Sequence, residues 1–204
     1  MAMTKDELLA LIEQAAAEGW TELDLSGQEL TELPEEIGKL LQLERLILGK
    51  AKKDNRGNQQ WDFQYINGDQ KPVALVDGNQ LTRLPKNISH LKNLRYLDLS
   101  GNRWESLSDG IGYLAQLETL IALTCGLTEI PDSLAQLTSL QILNLGCNQI
   151  SEISDSLARE CIDFCVSAFF LWGKAFWKQN SKMREGCAPI FNGSVPFLSN
   201  IVHG

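Results

Sequence analysis

An α/β solenoid, a stack of short coils each pairing one strand with one return segment, is the fold class this sequence predicts. Three observations carry the prediction. Of 33 leucines in 204 residues, 31 lie at or before Leu157, whereas six of the seven phenylalanines lie after it. Asn79, Asn102, Cys125 and Asn148 follow one another at intervals of 23 residues. Within each interval the apolar spacing switches from two to three, the signature of a strand giving way to a helical turn.

Each unit opens on an apolar pair before the Asn position: Ala74/Val76, Leu97/Leu99, Leu120/Ala122 and Leu143/Leu145. Such an L-x-L pair reads as a short strand whose leucines share one face. The Asn turns the chain, and its amide can satisfy backbone groups of the adjacent coil that burial would leave unpaired. Beyond it come Leu81/Leu84, Trp104/Leu107, Leu127/Ile130 and Ile150/Ile153, with Pro85 and Pro131 or Ser108 and Ser154 next. The return segment then steps by three, as Ile88, Leu91, Leu94; Ile111, Leu114, Leu117; and Leu134, Leu137, Leu140. A first copy runs through Leu23, Leu25, Gln28, Leu30, Leu33, Pro34, Ile37, Leu40 and Leu43. One coil cannot bury its own leucines, but four or five stacked coils make a continuous core.

These residues resemble the leucine-rich repeat family in its 23-residue form, with the L-P-x-x-I-x-x-L-x-x-L return, over residues 20–157. The resemblance implies a right-handed superhelix with a parallel sheet on the concave side and a protein-binding role.

Ahead of the array, Thr4-Lys5-Asp6-Glu7 reads as a capping box opening a helix, and Gly19 as its C-cap. Leu8, Leu9, Leu11, Ile12 and Ala15 give that helix an apolar face, so residues 1–19 are expected to cover the open end of the core. The step from Gln28 to Asn79 is 51 residues, one repeat plus 28. Residues 50–77 therefore read as an inserted loop after the Leu46/Leu48 strand, with a sixth, degenerate coil as the alternative. Trp61-Asp62-Phe63-Gln64-Tyr65-Ile66 alternates like a strand, Asn67-Gly68 gives a turn and Pro72–Val76 a second strand, so the loop is expected to carry a β-hairpin. Lys50, Lys52, Lys53 and Arg56 make its first part basic.

A narrower resemblance lies in Gly19-Trp20-Thr21-Glu22-Leu23-Asp24-Leu25-Ser26, then Leu46-Ile47-Leu48-Gly49-Lys50, the insertion, and Gly78-Asn79-Gln80-Leu81. Together these are similar to the N-terminal repeats of bacterial Roco proteins, in which such repeats precede a Ras-like GTPase domain. That resemblance implies a regulatory or partner-binding role, with a GTPase as one possible partner. The sequence departs from the full Roco pattern in having no G-x-x-x-x-G-K-[ST] phosphate loop.

After Leu157 the next return positions hold Glu160 and Asp163, so the array is expected to stop there. Residues 158–204 read as a tail that begins with a capping helix, its apolar side formed by Ile162, Val166, Phe169, Phe170, Leu171, Trp172 and Phe176.

Stepping by 23 along the strands gives columns that point out of the concave sheet. The central column is Asp24, Ile47, Leu75, Asp98, Ile121 and Asn144, flanked by Glu22, Arg45, Val73, Tyr96, Thr119 and Ile142 and by Ser26, Gly49, Asp77, Ser100, Leu123 and Gly146. Apolar residues aimed outward at Tyr96, Ile121, Leu123 and Ile142 point to an interface. The expected partner-binding face is therefore Asp24, Arg45, Ile47, Tyr96, Asp98, Thr119, Ile121, Leu123, Ile142 and Asn144, with Trp61, Phe63 and Tyr65 of the insertion at its rim.

Other chemistry finds no footing in the sequence. Net charge is −8, disfavouring a nucleic-acid binder that must track phosphates. No run of about 20 apolar residues offers a membrane span. His90 and His203 stand alone, and Cys161 and Cys165 have no further ligand nearby in sequence, so no catalytic set, metal or cofactor is expected. Five cysteines without CxxC pairing or an export signal suit a reducing cytoplasm. The expectation is a monomeric, non-enzymatic module that binds a protein or peptide.

Overall fold

The computed structural model describes residues 2–66, 69–104, 106–150 and 165–166, the stretches 63–72 and 165–166 as backbone. Helix α1 spans Lys5–Glu18. The Glu7 amide donates to the Thr4 hydroxyl at 3.3 Å and the Thr4 amide donates to the Glu7 carboxylate at 2.8 Å, so two of the free N–H groups at the helix start are satisfied reciprocally. Gly19 ends the helix in the left-handed region, φ +67°. Leu8, Ile12 and Ala15 are buried and continue the core of the repeats. Ion pairs Lys5–Glu32 and Lys39–Glu13 join the helix to the first coil. Both are solvent-exposed, so water and salt screen them and apolar burial is what seats α1.

The strands follow as β1 (Glu22–Asp24), β2 (Arg45–Ala51), β3 (Trp61–Ile66), β4 (Asp69–Ala74), β5 (Val76–Asp77), β6 (Tyr96–Leu99), β7 (Thr119–Ile121), β8 (Ile142–Asn144) and β9 (Cys165–Val166). A parallel sheet runs β1-β2-β6-β7-β8-β9. Its register sets Leu23, Leu46, Leu97, Leu120 and Leu143 in one line, all buried. The return segments are 3₁₀ helices at Glu35–Lys39, Lys86–His90, Asp109–Tyr113 and Asp132–Gln136. Pro34, Pro85 and Pro131 precede three of them, and at the fourth the Ser108 hydroxyl accepts from the Gly110 amide at 3.1 Å. Each return buries one apolar anchor, Ile37, Ile88, Ile111 or Leu134.

Between strand and return, side-chain amides pair the backbone of successive coils. Asn79 donates to the Leu25 and Leu48 carbonyls at 2.9 and 2.6 Å and accepts from the Leu30 amide at 3.0 Å. Asn102 donates to Leu48, Leu99 and Ser100 carbonyls and accepts from the Leu81 amide at 3.2 Å. Asn148 donates to Ala122 at 2.6 Å and Leu145 at 2.8 Å, and accepts from the Cys125 and Leu127 amides. Cys125 takes the position between them, its thiol 3.3 Å from the Leu99 carbonyl and 3.4 Å from that of Leu123. Burial pushes that thiol up to about 12, so it acts as a small buried donor.

The second coil differs from the spacing seen in the sequence. Its strand is Leu46/Leu48 in β2, which pairs directly with β6, Arg45 opposite Tyr96 and Ile47 opposite Asp98. Ala74 and Val76 keep the interval of 23 yet form no strand of the concave parallel sheet, and Val73, Leu75 and Asp77 leave its columns. Their place is set by the end of the insertion: β5 runs antiparallel to β2, with Lys50 opposite Asp77 and Ala51 opposite Val76. Gly49 also departs from its column, because β2 shifts register between Ile47 and Gly49 and places Gly49 opposite Leu99. A Cβ at Gly49 would stand 1.8 Å from the Ser100 carbonyl oxygen, and one at Gly78 would stand 1.8 Å from that of Gly101. Glycine is required at both positions because the third coil passes directly against the two ends of the insertion.

Within the insertion, β3 and β4 pair antiparallel, Trp61 opposite Ala74 through Ile66 opposite Asp69. At the sheet's other end, β9 pairs in parallel with β8, Ile142 opposite Cys165 and Leu143 opposite Val166. Those two residues are extended where a capping helix was expected, since 23 residues beyond Leu143 the apolar Val166 meets the next strand position. The rest of the expected helix lies outside the described residues.

Candidate functional site

The concave columns and the root of the insertion together line a cleft of about 620 Å³. The sheet contributes Ile47, Tyr96, Asp98, Ile121, Leu123 and Asn144, and the insertion contributes Lys50–Lys53, Gln59, Gln60 and Asp77. The root is rigidly built. Its amides and carbonyls interlock as Lys52 to Leu75 at 2.8 Å, Gln60 to Lys52 at 2.8 Å and Leu75 to Gln60 at 3.0 Å. Asp54 closes its turn by accepting from the Arg56 and Asn58 amides at 2.8 and 2.9 Å. Those donors, the Asn58 amide foremost, hold the Asp54 carboxyl below the usual carboxylate range.

The residues expected on the concave face divide by exposure. Ile142 is 45% exposed, Asp24 is exposed, and Arg45, Tyr96, Thr119, Ile121 and Asn144 are half-buried. Ile47, Asp98 and Leu123 are buried at 7%, 3% and 8% exposure, at the bottom of the cleft. In the insertion, Trp61 is 40% exposed, while Phe63 and Tyr65 stand at alternate positions of β3 opposite Pro72 and Gln70.

Charges in and beside the cleft are arranged in pairs. Lys50 Nζ lies 2.6 Å from Asp24 Oδ2, Lys52 Nζ lies 2.9 Å from Asp77 Oδ1 and Arg45 Nε lies 3.3 Å from Glu22 Oε2. The Arg45 guanidinium also stacks 4.0 Å from the Tyr96 ring centroid. Burial alone would raise the Asp24 carboxyl, but the Lys50 ammonium and the Ser26 donors outweigh it and hold it below its ordinary value. Asp98 is the contrast: burial pushes it up to about 6 despite hydrogen bonds from Ser100 and Tyr96. Burial and the nearby Asp98 charge push the Tyr96 hydroxyl up to about 12, so it stays a neutral donor.

Three features of this site are absent from the column reading, although the first stands in the sequence as Asp24-x-Ser26 and Asp98-x-Ser100. One is the Asp-x-Ser frame, in which Ser26 and Ser100 each give an amide and a hydroxyl to the aspartate two residues earlier. Another is the root of the insertion as a wall of the cleft. The third is a pair of non-glycine residues, Thr124 at φ +54° and Cys147 at φ +57°, where the first and third coils have Gly27 and Gly101. Among the described residues no group of three His, Cys, Asp or Glu is placed to hold a metal ion, and no helix is long and apolar enough to cross a membrane.

Comparison with known proteins places this architecture. The leucine-rich repeat family model matches residues 93–114 and 139–159. A leucine-rich repeat protein of Leptospira interrogans superposes with a TM-score of 0.58 at 26% identity, over 82% of this chain and 34% of its own. Internalin C2 of Listeria monocytogenes superposes with a TM-score of 0.50 at 22% identity, over 78% of this chain and 53% of its own. The chain thus spans about a third of the first protein and about half of the second. No curated protein sequence matches it. The chain carries leucine-rich repeats, and its fold is that of a leucine-rich repeat solenoid.

Proposed function

We propose that this chain is a non-catalytic recognition module, a cytoplasmic monomer that binds a protein or peptide segment on its concave face with the hairpin of the insertion as a rim contact. The observation that carries this reading is the cleft between sheet and insertion. It sets apolar Ile121 and Leu123 beside polar Asn144 and Tyr96, with Ile142 exposed in the neighbouring column. Convergent apolar and polar groups in a concavity are what a recognition site needs. Thr119, Arg45 and Asp24 extend the face, and Trp61, Phe63 and Tyr65 are assigned to the rim. The free thiols of Cys125 and Cys147 suit a reducing compartment.

The test is partner capture by the double variant Tyr96→Ala, Ile121→Asp. Capture is lost while the circular dichroism spectrum stays that of the parent; retained capture overturns the concave-face reading. A second reading, a regulatory repeat fragment acting on a separately encoded GTPase, rests on the Gly19–Ser26 string and on an insertion that begins at Lys50. Enrichment of a GTPase in pull-downs from the native cytosol supports it, and its absence counts against it.

A further inference from the structure

Two aspartates of the central column are built into the same frame but end differently. In the first coil Asp24 Oδ1 accepts from the Ser26 amide at 2.9 Å and the Ser26 hydroxyl at 2.6 Å. In the third, Asp98 Oδ1 accepts from the Ser100 amide at 3.0 Å and the Ser100 hydroxyl at 2.6 Å. The outer oxygen of Asp24 seats the Lys50 ammonium at 2.6 Å. Among the described residues the outer oxygen of Asp98 receives only the Tyr96 hydroxyl, at 3.4 Å, although Asp98 is 3% exposed and lines the cleft. Holding a carboxylate out of water without a cation is costly, and the neighbouring Asp24 charge adds to the cost.

Three of the four cations around it are engaged elsewhere. Lys50 serves Asp24, Lys52 serves Asp77, and Arg45 serves Glu22 while stacking on Tyr96. Lys53 is exposed on the insertion wall.

We propose that the cleft recognises a cationic side chain, a lysine ammonium or arginine guanidinium carried on an extended partner segment, and that Asp98 is the carboxylate that receives it. The inference rests on the concave-face reading above. Lys50 on Asp24 is the internal precedent for the geometry, a lysine reaching the outer oxygen of an Asp-x-Ser frame. Ile121 and Leu123 beside Asp98 offer apolar surface for the methylene stem of such a side chain. The chain's net charge of −8 favours approach of a basic segment. The groups facing Asp98 are Tyr96 and Asp24, with Arg45, Lys50, Lys52, Lys53 and Asp77 around the cleft. Asp98 is the member whose ionisation lies near 6, so cation binding weakens as pH falls through that value.

The experiment uses the full chain against a displayed library of random dodecapeptides at pH 7.5, followed by titration calorimetry with synthetic peptides. Enriched sequences carry Lys or Arg at one fixed position. Replacing that residue with norleucine, or Asp98 with Asn, weakens binding at least tenfold, and the two changes together cost no more than one. Asp98→Asn is compatible with the fold, since Asn144 occupies the same column with its Oδ1 accepting from the Gly146 amide at 3.1 Å. Binders without a fixed basic residue, or with equal affinity for Asp98→Asn, overturn the cation assignment and leave the concave-face reading standing. A library that yields no binder overturns both.

Discussion

The Thr124 hydroxyl donates to the Ala74 carbonyl at 3.3 Å, joining the fourth coil to the root of the insertion. Thr124 holds φ at +54°, a conformation that a β-branched residue adopts only under constraint. Cys147 repeats the arrangement one coil on, at φ +57°, its thiol raised by burial and facing the Ala74 amide and the Thr124 hydroxyl. Strain at the two positions is thus coupled to contacts that hold the cleft wall in place.

Replacing Thr124 with Gly relieves strain of about 1–2 kcal/mol in the repeats while removing the tie to Ala74. The expected result is a melting temperature equal to or above that of the parent, with hydrogen exchange at the Leu75 and Lys52 amides about fivefold faster. Thr124→Ser retains the hydroxyl and the slow exchange. Unchanged exchange in the Gly variant would remove Thr124 from its role in holding the insertion.

Asn102 is buried and makes four hydrogen bonds, to Leu48 in β2, to Leu99 and Ser100 at the end of β6, and from the Leu81 amide of the preceding loop. Asn102→Ala strands the Leu81 amide away from water, while the Leu48 carbonyl keeps its Asn79 donor, and a loss of about 1–3 kcal/mol is expected in urea denaturation. A loss below ~0.5 kcal/mol would show that water can replace the ladder.

Asp98 makes stability depend on pH in a direction opposite to that of most carboxylates. Its folded value is raised to about 6 from 3.8, so between these values the folded state binds the proton that the unfolded state has released. Stability contributed by this group is therefore greatest at the acid end and falls as pH rises from about 4 to 6, by up to about 3 kcal/mol. Asp24, whose carboxyl is lowered by Lys50 and Ser26, acts in the opposite sense. Comparing the parent with Asp98→Asn isolates the effect: the variant is the more stable at pH 7, and the difference shrinks toward pH 4. A difference independent of pH would show that Asp98 does not carry the penalty.

The hairpin is an appendage to the sheet, because β2 pairs with β6 without it. Replacing residues 63–72 with Asn-Gly keeps the Trp61–Ala74 and Asp62–Val73 pairs and closes a two-residue turn. The melting temperature is expected to shift by less than about 3 °C. Partner capture falls if Phe63 and Tyr65 form the rim, and capture at full strength would confine recognition to the sheet.

How much of this could be read from the residues alone follows from what each feature depends on. A repeat is local and additive: every coil buries the same few positions against its neighbours, so Leu23, Leu97, Leu120 and Leu143 announce a sheet by spacing alone. The capping box at Thr4 and Glu7 is equally local. Spacing misled at Ala74 and Val76, which keep the interval of 23 but close the insertion, because Asn79 completes the ladder through the Leu48 carbonyl, 31 residues earlier. The contrast between Asp24 and Asp98 was invisible for the same reason. Both stand in one column two residues before a serine, and only the path of the insertion brings Lys50 to the first and leaves the second without a cation among the described residues. The sequence by itself determined the stack and its core, since stacking requires only that each coil match the next. Which side chains share the cleft, and which carboxylate there has no ion pair among the described residues, was decided by the tertiary structure, because those depend on where a long insertion turns back.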